Sequence, residues 1–93
     1  MNRMTPENSV KSVVKDYLDM KGILHWQNMA GIGSVRGLPD RFALHKGILY
    51  AIEVKSKSGK VSDYQADFLV RINRAGGVPI VVRSLDDLMK IIK

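Results

Sequence analysis

The stretch GLPDRFALHKGILYAIEVKSKSGK (37–60) holds two apolar segments, RFALH (41–45) and ILYAIEVK (48–55), joined at Lys46-Gly47. Both segments have the length and the β-branched and aromatic content of strands, and the Lys-Gly junction predicts a hairpin between them. A turn centred there pairs residues whose numbers sum to a constant, so that His45 faces Ile48, Phe42 faces Ala51 and Asp40 faces Glu53. Directly opposed residues carry Cβ atoms about 4.5–5.5 Å apart. Side chains alternate along a strand, so Glu53 and Lys55 project from the same face as Asp40. An odd-length loop or a bulge would break this register.

Two carboxylates at that separation repel unless a positive charge lies between them. Lys55 could neutralise one of them as an ion pair, or a divalent cation could bridge both. Magnesium takes oxygen ligands and commonly uses one or two carboxylates, with waters and substrate phosphate completing the octahedron. Asp40 and Glu53 supply that chemistry, with the Val54 carbonyl as a third oxygen. Taken alone, Glu-x-Lys is ordinary in a solvated strand, and an Asp after Pro39 is ordinary in a turn. The information lies in the combination.

Upstream, Thr5 and Pro6 open a helix as cap and first residue. Val10, Val13, Val14, Tyr17 and Leu18 recur along it at helical spacing, and Gly22 closes it. Glu7 precedes Val10 by three and Val14 by seven, which places it on the same stripe; an acid also favours a helix N-terminus for its own sake. A strand follows at 23–28 (ILHWQN), then a glycine-rich loop at 30–39. Downstream, 56–60 is a basic loop. Ser62 and Gln65 match a capping box opening a second helix with Ala66, Phe68, Leu69, Ile72 and Ala75 inside and Gly76-Gly77 at its end. Gln65 shares that inner face. PIVVR (79–83) reads as a buried strand, and Ser84 caps a last helix over SLDDLMKIIK, with Lys90 and Lys93 in its final turn. The order is αβββαβα, an α/β sandwich whose mixed sheet is completed by a crossover through the second helix.

At 93 residues, one domain spanning 1–93 is expected. The absence of cysteine removes disulfides, thiolate metal sites and cysteine nucleophiles. A net charge of +6 is compatible with a polyanionic partner. No apolar run approaches the roughly 18 residues of a membrane span, and MNRMTPENSV lacks a signal-peptide core, so a cytoplasmic protein with no membrane partner is expected. Gly31-x-Gly33 lacks the third glycine of a dinucleotide fingerprint. His25 and His45 read as strand residues, and Trp26 as a core aromatic.

Glu7, Gly37-Leu38-Pro39-Asp40, Glu53-Val54-Lys55 and Gln65, in this order and spacing, resemble the motif set of a stand-alone VRR-NUC domain, a branch of the PD-(D/E)xK nuclease superfamily. The resemblance runs from Glu7 to PIVVR. Arg41 departs from it, the residue after the motif aspartate often being apolar in the family, and HWQNMAGIGSV is undistinctive. The resemblance implies a restriction-endonuclease-like core and a magnesium- or manganese-dependent endonuclease acting on DNA. It implies Asp40, Glu53 and the Val54 carbonyl as metal ligands, with Glu7 near the metal directly or through water. Lys55 would orient the attacking water or stabilise charge, and Gln65 would position either. Stand-alone members resemble homodimeric junction-resolving enzymes, which points to branched DNA such as Holliday junctions and to a bacterial or phage-infected cytoplasm. Arg36, Arg41, Lys57 and Lys60 are the candidate phosphate contacts. The rival expectation is a DNA-binding module with the same fold and no turnover.

Overall fold

The computed structural model describes residues 4–29 and 35–93; half of the glycine-rich loop, with Gly31 and Gly33, lies outside the described residues. The elements are α1 (Pro6–Met20), β1 (Leu24–Gln27), β2 (Arg41–His45), β3 (Ile48–Val54), α2 (Asp63–Arg74), β4 (Val78–Val82) and α3 (Leu85–Met89), in the order expected. Four strands form one sheet in the order β1-β2-β3-β4. The first two pairings are antiparallel, and β3 pairs parallel with β4 after the α2 crossover.

The hairpin register is the predicted one, with His45 opposite Ile48, Phe42 opposite Ala51 and Arg41 opposite Ile52. Lys46 and Gly47 both have positive φ, 52° and 79°, the signature of a two-residue turn whose twist matches the strands it joins. Such a turn favours Asn-Gly; the lysine tolerates a left-handed backbone that its Cβ disfavours.

The Thr5 hydroxyl accepts from the Asn8 N–H at 3.1 Å and starts α1. At its other end Gly22 adopts φ 67°, letting the Ile23 N–H reach back to the Leu18 carbonyl at 3.0 Å. One face of the sheet, through Ala43, Tyr50, Ile52, Val54, Ile80 and Val82, packs on Val14 and Leu18 of α1 and on Leu88 and Ile92 at the C-terminal end. Tyr17 spans this core and donates its hydroxyl to the Ile92 carbonyl at 2.7 Å. The α2 helix packs against β4 outside that cluster, with Leu69 as its buried residue.

Four expectations change. Trp26 is not core: it is 42% exposed and lies against Phe42, its cross-strand partner, at 5.9 Å between ring centroids. β1 is an edge strand, and its Leu24 and Trp26 share their face with Leu44 and Phe42, the face turned away from α1. Ala66 of α2 and Ala75 at its C-cap are exposed, because the helix packs on the edge strand β4 rather than across the whole sheet. β4 is the other edge strand and is only half-buried, which accommodates Pro79 and its missing N–H. Finally, α3 ends at Met89, short of Lys90 and Lys93, and Ser84 makes no side-chain cap bond. Asp87 instead accepts from the Arg83 N–H at 2.9 Å.

Candidate active site

The bend between β1 and β2 is fixed before any function is considered. Asn28 extends the ladder past β1, its N–H donating to the Asp40 carbonyl at 2.8 Å and its amide to the Pro39 carbonyl at 3.0 Å. Gly37 has φ 75°, and a Cβ there would sit 2.1 Å from the Tyr64 carbonyl oxygen. Only glycine fits this approach of the bend to the first turn of α2. The glycine of Gly-Leu-Pro-Asp thus seats the loop on α2, Pro39 is buried beneath it, and Asp40 emerges at the end of the sheet.

Asp40 Oδ2 accepts from the Val54 N–H at 2.7 Å. That bond continues the 41↔52 ladder by one step and brings Asp40 beside Glu53. Glu53 is 2% exposed and is the one buried charged side chain among the described residues. Its Oε1 accepts from the Gln65 amide at 3.3 Å and lies 3.9 Å from the Lys55 ammonium. Its Oε2 is buried and finds no donor. Burial first, and then the neighbouring Asp40 carboxyl, push the Glu53 carboxyl up to about 8; Lys55 pulls the other way. Gln65 also closes the capping box, its Oε1 accepting from the Ser62 N–H at 2.9 Å, so the cap orients the amide that holds Glu53.

Glu7 arrives by way of a residue that the motif pattern passes over. Lys11 lies 3.2 Å from Glu7 Oε2 and 3.2 Å from Asp40 Oδ1, one ammonium between two acids. Its only sequence signal is the i,i+4 relation to Glu7, which is commonplace on helix surfaces. Among the described residues no group of three or more His, Cys, Asp or Glu side chains gathers at metal-holding distance. The two carboxylates that the fold brings together are therefore Asp40 and Glu53, while Glu7 pairs with Lys11.

This set fits a hard divalent cation. It offers oxygens only and two carboxylates, and one buried carboxylate oxygen lacks the partner that such groups almost always have. The unsatisfied oxygen belongs to the same residue whose charge is most penalised by burial, and a cation would relieve both.

The basic candidates divide. Arg36 is pinned to α2, its Nη1 donating to the Tyr64 hydroxyl at 2.7 Å with its guanidinium 5.0 Å from that ring. Lys57 and Lys60 lie exposed on the loop after β3. Arg83, just after β4, braces that loop, its Nη1 donating to the carbonyls of Ser56 and Gly59, both at 2.6 Å, and of Lys57 at 3.4 Å. Arg41 points to the α1 side of the sheet, where its Nη1 donates to His25 Nδ1 at 2.8 Å. His25 is thus a strand residue, as expected, but one that orients a cation. No helix among the described residues is long and apolar enough to cross a membrane.

No protein-family model matches the sequence, and no curated protein matches it. Among solved structures the chain is similar to one described as a VRR_NUC domain, with a TM-score of 0.80 and 25% sequence identity over 96% of this chain and 96% of that one. The mixed four-stranded sheet and its helices have the fold of a VRR_NUC domain.

Proposed function

We propose that this chain, with its VRR_NUC fold, is a magnesium- or manganese-dependent endodeoxyribonuclease that hydrolyses DNA phosphodiester bonds. The observation that carries the reading is Glu53, a buried carboxylate with a donorless oxygen, set against Asp40 with Lys55 and Gln65 beside it. Asp40, Glu53 and the Val54 carbonyl would hold the metal, and Glu7 would support it through water. When bound, the cation lowers the pKa of a coordinated water and polarises the phosphoryl oxygen. Lys55 places an ammonium beside that centre, where negative charge grows on the phosphorane. An ordinary lysine has a pKa of about 10.4, so its role is electrostatic and orienting rather than that of a general base. Gln65 holds Glu53 Oε1 and leaves Oε2 free for a cation.

Branched DNA, such as a Holliday junction, is the substrate we favour, cut by a homodimer in a bacterial or phage-infected cytoplasm. A two-fold dimer presents two equivalent sites, which suits paired cuts in strands of like polarity. Arg36, Arg41, Lys57 and Lys60 would contact phosphates around the site, in keeping with the net charge of +6.

One observation favours a second reading, a DNA-binding module without turnover: Lys11 already contacts Asp40, and Lys55 approaches Glu53, so cations of the chain itself partly compensate both acids. Cleavage of linear, flapped and four-way DNA by wild type, Asp40→Ala and Lys55→Ala, with magnesium, manganese or chelator, separates the two. Metal-dependent cutting lost in both variants supports the nuclease. Salt-sensitive binding without cutting in either metal supports the module.

A further inference from the structure

A cavity of about 270 Å³ opens between α1 and the β1–β2 end of the sheet, lined by Lys11, Ser12 and Lys15 of α1 and by Gln27 and Arg41 of the strands. Asp40 and Val54 form its boundary with the acid pair, so cavity and candidate site are contiguous. It has room for about nine waters at ~30 Å³ each, ample for a phosphate group with its solvent.

The state of Arg41 says what the cavity would take. Among the described residues its guanidinium makes no carboxylate ion pair, and its one side-chain partner is His25. Arginine has no acceptor, so His25 Nδ1 must carry the lone pair and Nε2 the proton, which is donated to Asp19 Oδ1 at 2.5 Å. Asp19 in turn pairs with Lys15 at 2.7 Å. Among the described residues Arg41 is thus oriented by an imidazole nitrogen acting as acceptor, with no carboxylate at contact distance. A guanidinium with free fork positions, a wall of lysines and a floor of Val14 and Val54 make a site for a tetrahedral oxyanion.

We infer that this cavity is a phosphate subsite, in which Arg41, flanked by Lys11 and Lys15, holds a backbone phosphodiester of the DNA strand next to the phosphate at the acid pair. This deepens the nuclease reading, on which it rests for the position of the cleaved bond. Lys11 joins the two compartments, since it lines the cavity and contacts Asp40. His25 is a positioning residue that aims the arginine.

The test has two arms. In the first, fluorescence anisotropy in calcium measures binding of four-way and linear DNA by wild type, Arg41→Met, Arg41→Lys and the remote control Lys93→Met, with urea unfolding to verify that each is folded. Arg41→Met should bind at least about tenfold more weakly and lower the slope of log affinity against log salt by about 0.7–0.9. Arg41→Lys should recover part of the loss, and Lys93→Met should match wild type. In the second arm, DNA carrying single neutral methylphosphonate linkages around the cleaved bond is cut in magnesium. Wild type should be slowed about tenfold at one flanking linkage, and Arg41→Met should show no further slowing there. A folded Arg41→Met with wild-type affinity and salt slope overturns the subsite, as does additive slowing at every linkage. Binding as predicted with no cleavage overturns the nuclease reading and leaves the subsite standing. Absence of DNA binding by wild type overturns both.

Discussion

The buried carboxyl of Glu53 sets the pH dependence of the metal-free protein. Its ionisation moves from 4.5 to about 8, through burial first and Asp40 second. Between those values the folded chain holds a proton that the unfolded chain has released. The stability tied to that proton is therefore fully present below about pH 4.5 and is lost as pH rises through 8. At about 1.4 kcal/mol per pH unit the loss is at most roughly 5 kcal/mol, and a fall on the order of 2–4 kcal/mol is expected. A small domain has on the order of 5–10 kcal/mol in total, so the effect is large. Asp19, held low by its bonds to Lys15 and His25, acts in the opposite sense and only at more acid pH. The assay is urea unfolding, followed by circular dichroism, in chelator from pH 5 to 8.5. Glu53→Gln keeps an oxygen to accept from Gln65 and removes the titrating group. Its profile should be flat across the window, and at pH 8 it should exceed wild type by a similar 2–4 kcal/mol. Added magnesium should restore wild type at pH 8 and leave the variant unchanged. Parallel pH profiles for the two proteins, or wild-type stability rising from pH 5 to 8, would refute the reasoning.

Gly37→Ala introduces a Cβ 2.1 Å from the Tyr64 carbonyl at a positive φ; a loss of at least about 3 kcal/mol in the same unfolding assay is expected. Lys46→Asn relieves a left-handed lysine in the hairpin turn and should stabilise by about 0.5–1 kcal/mol without altering the far-ultraviolet spectrum. Ser62→Ala deletes one half of the α2 capping box; about 1 kcal/mol of stability should go with it. Tyr17→Phe leaves the buried Ile92 carbonyl without its donor, which should show as about 1–2 kcal/mol in chemical denaturation.

The hairpin was legible because a two-residue turn and a two-residue side-chain period leave a single register, so the pairing from Arg41 opposite Ile52 to His45 opposite Ile48 could be set from numbering alone, with Asp40 one step beyond it. Gln65 was legible through its capping box, a local pattern that also fixes where the side chain goes. Lys11 was not, because its meaning depends on Asp40, 29 residues away, while its near neighbour Glu7 makes it look like a routine surface pair. Nor was the task of His25, which depends on Asp19 and Arg41 reaching it from two other elements. Trp26 was misread because composition says that aromatics are buried, whereas exposure depends on which strand lies at the edge and how far a helix reaches. The same ignorance of α2's placement put Ala66 and Ala75 inside.

The brace from Arg83 has a consequence for how the segment after β3 behaves as a surface. Its carbonyls at 56, 57 and 59 are gathered by one guanidinium projecting from the residue that follows β4, while Lys57 and Lys60 remain turned to solvent. Immobilising a coil residue costs about 1–2 kcal/mol in conformational entropy, and here that ordering is completed during folding. The two amines are therefore presented on a preorganised scaffold, and a ligand that engages them need not organise the backbone beneath.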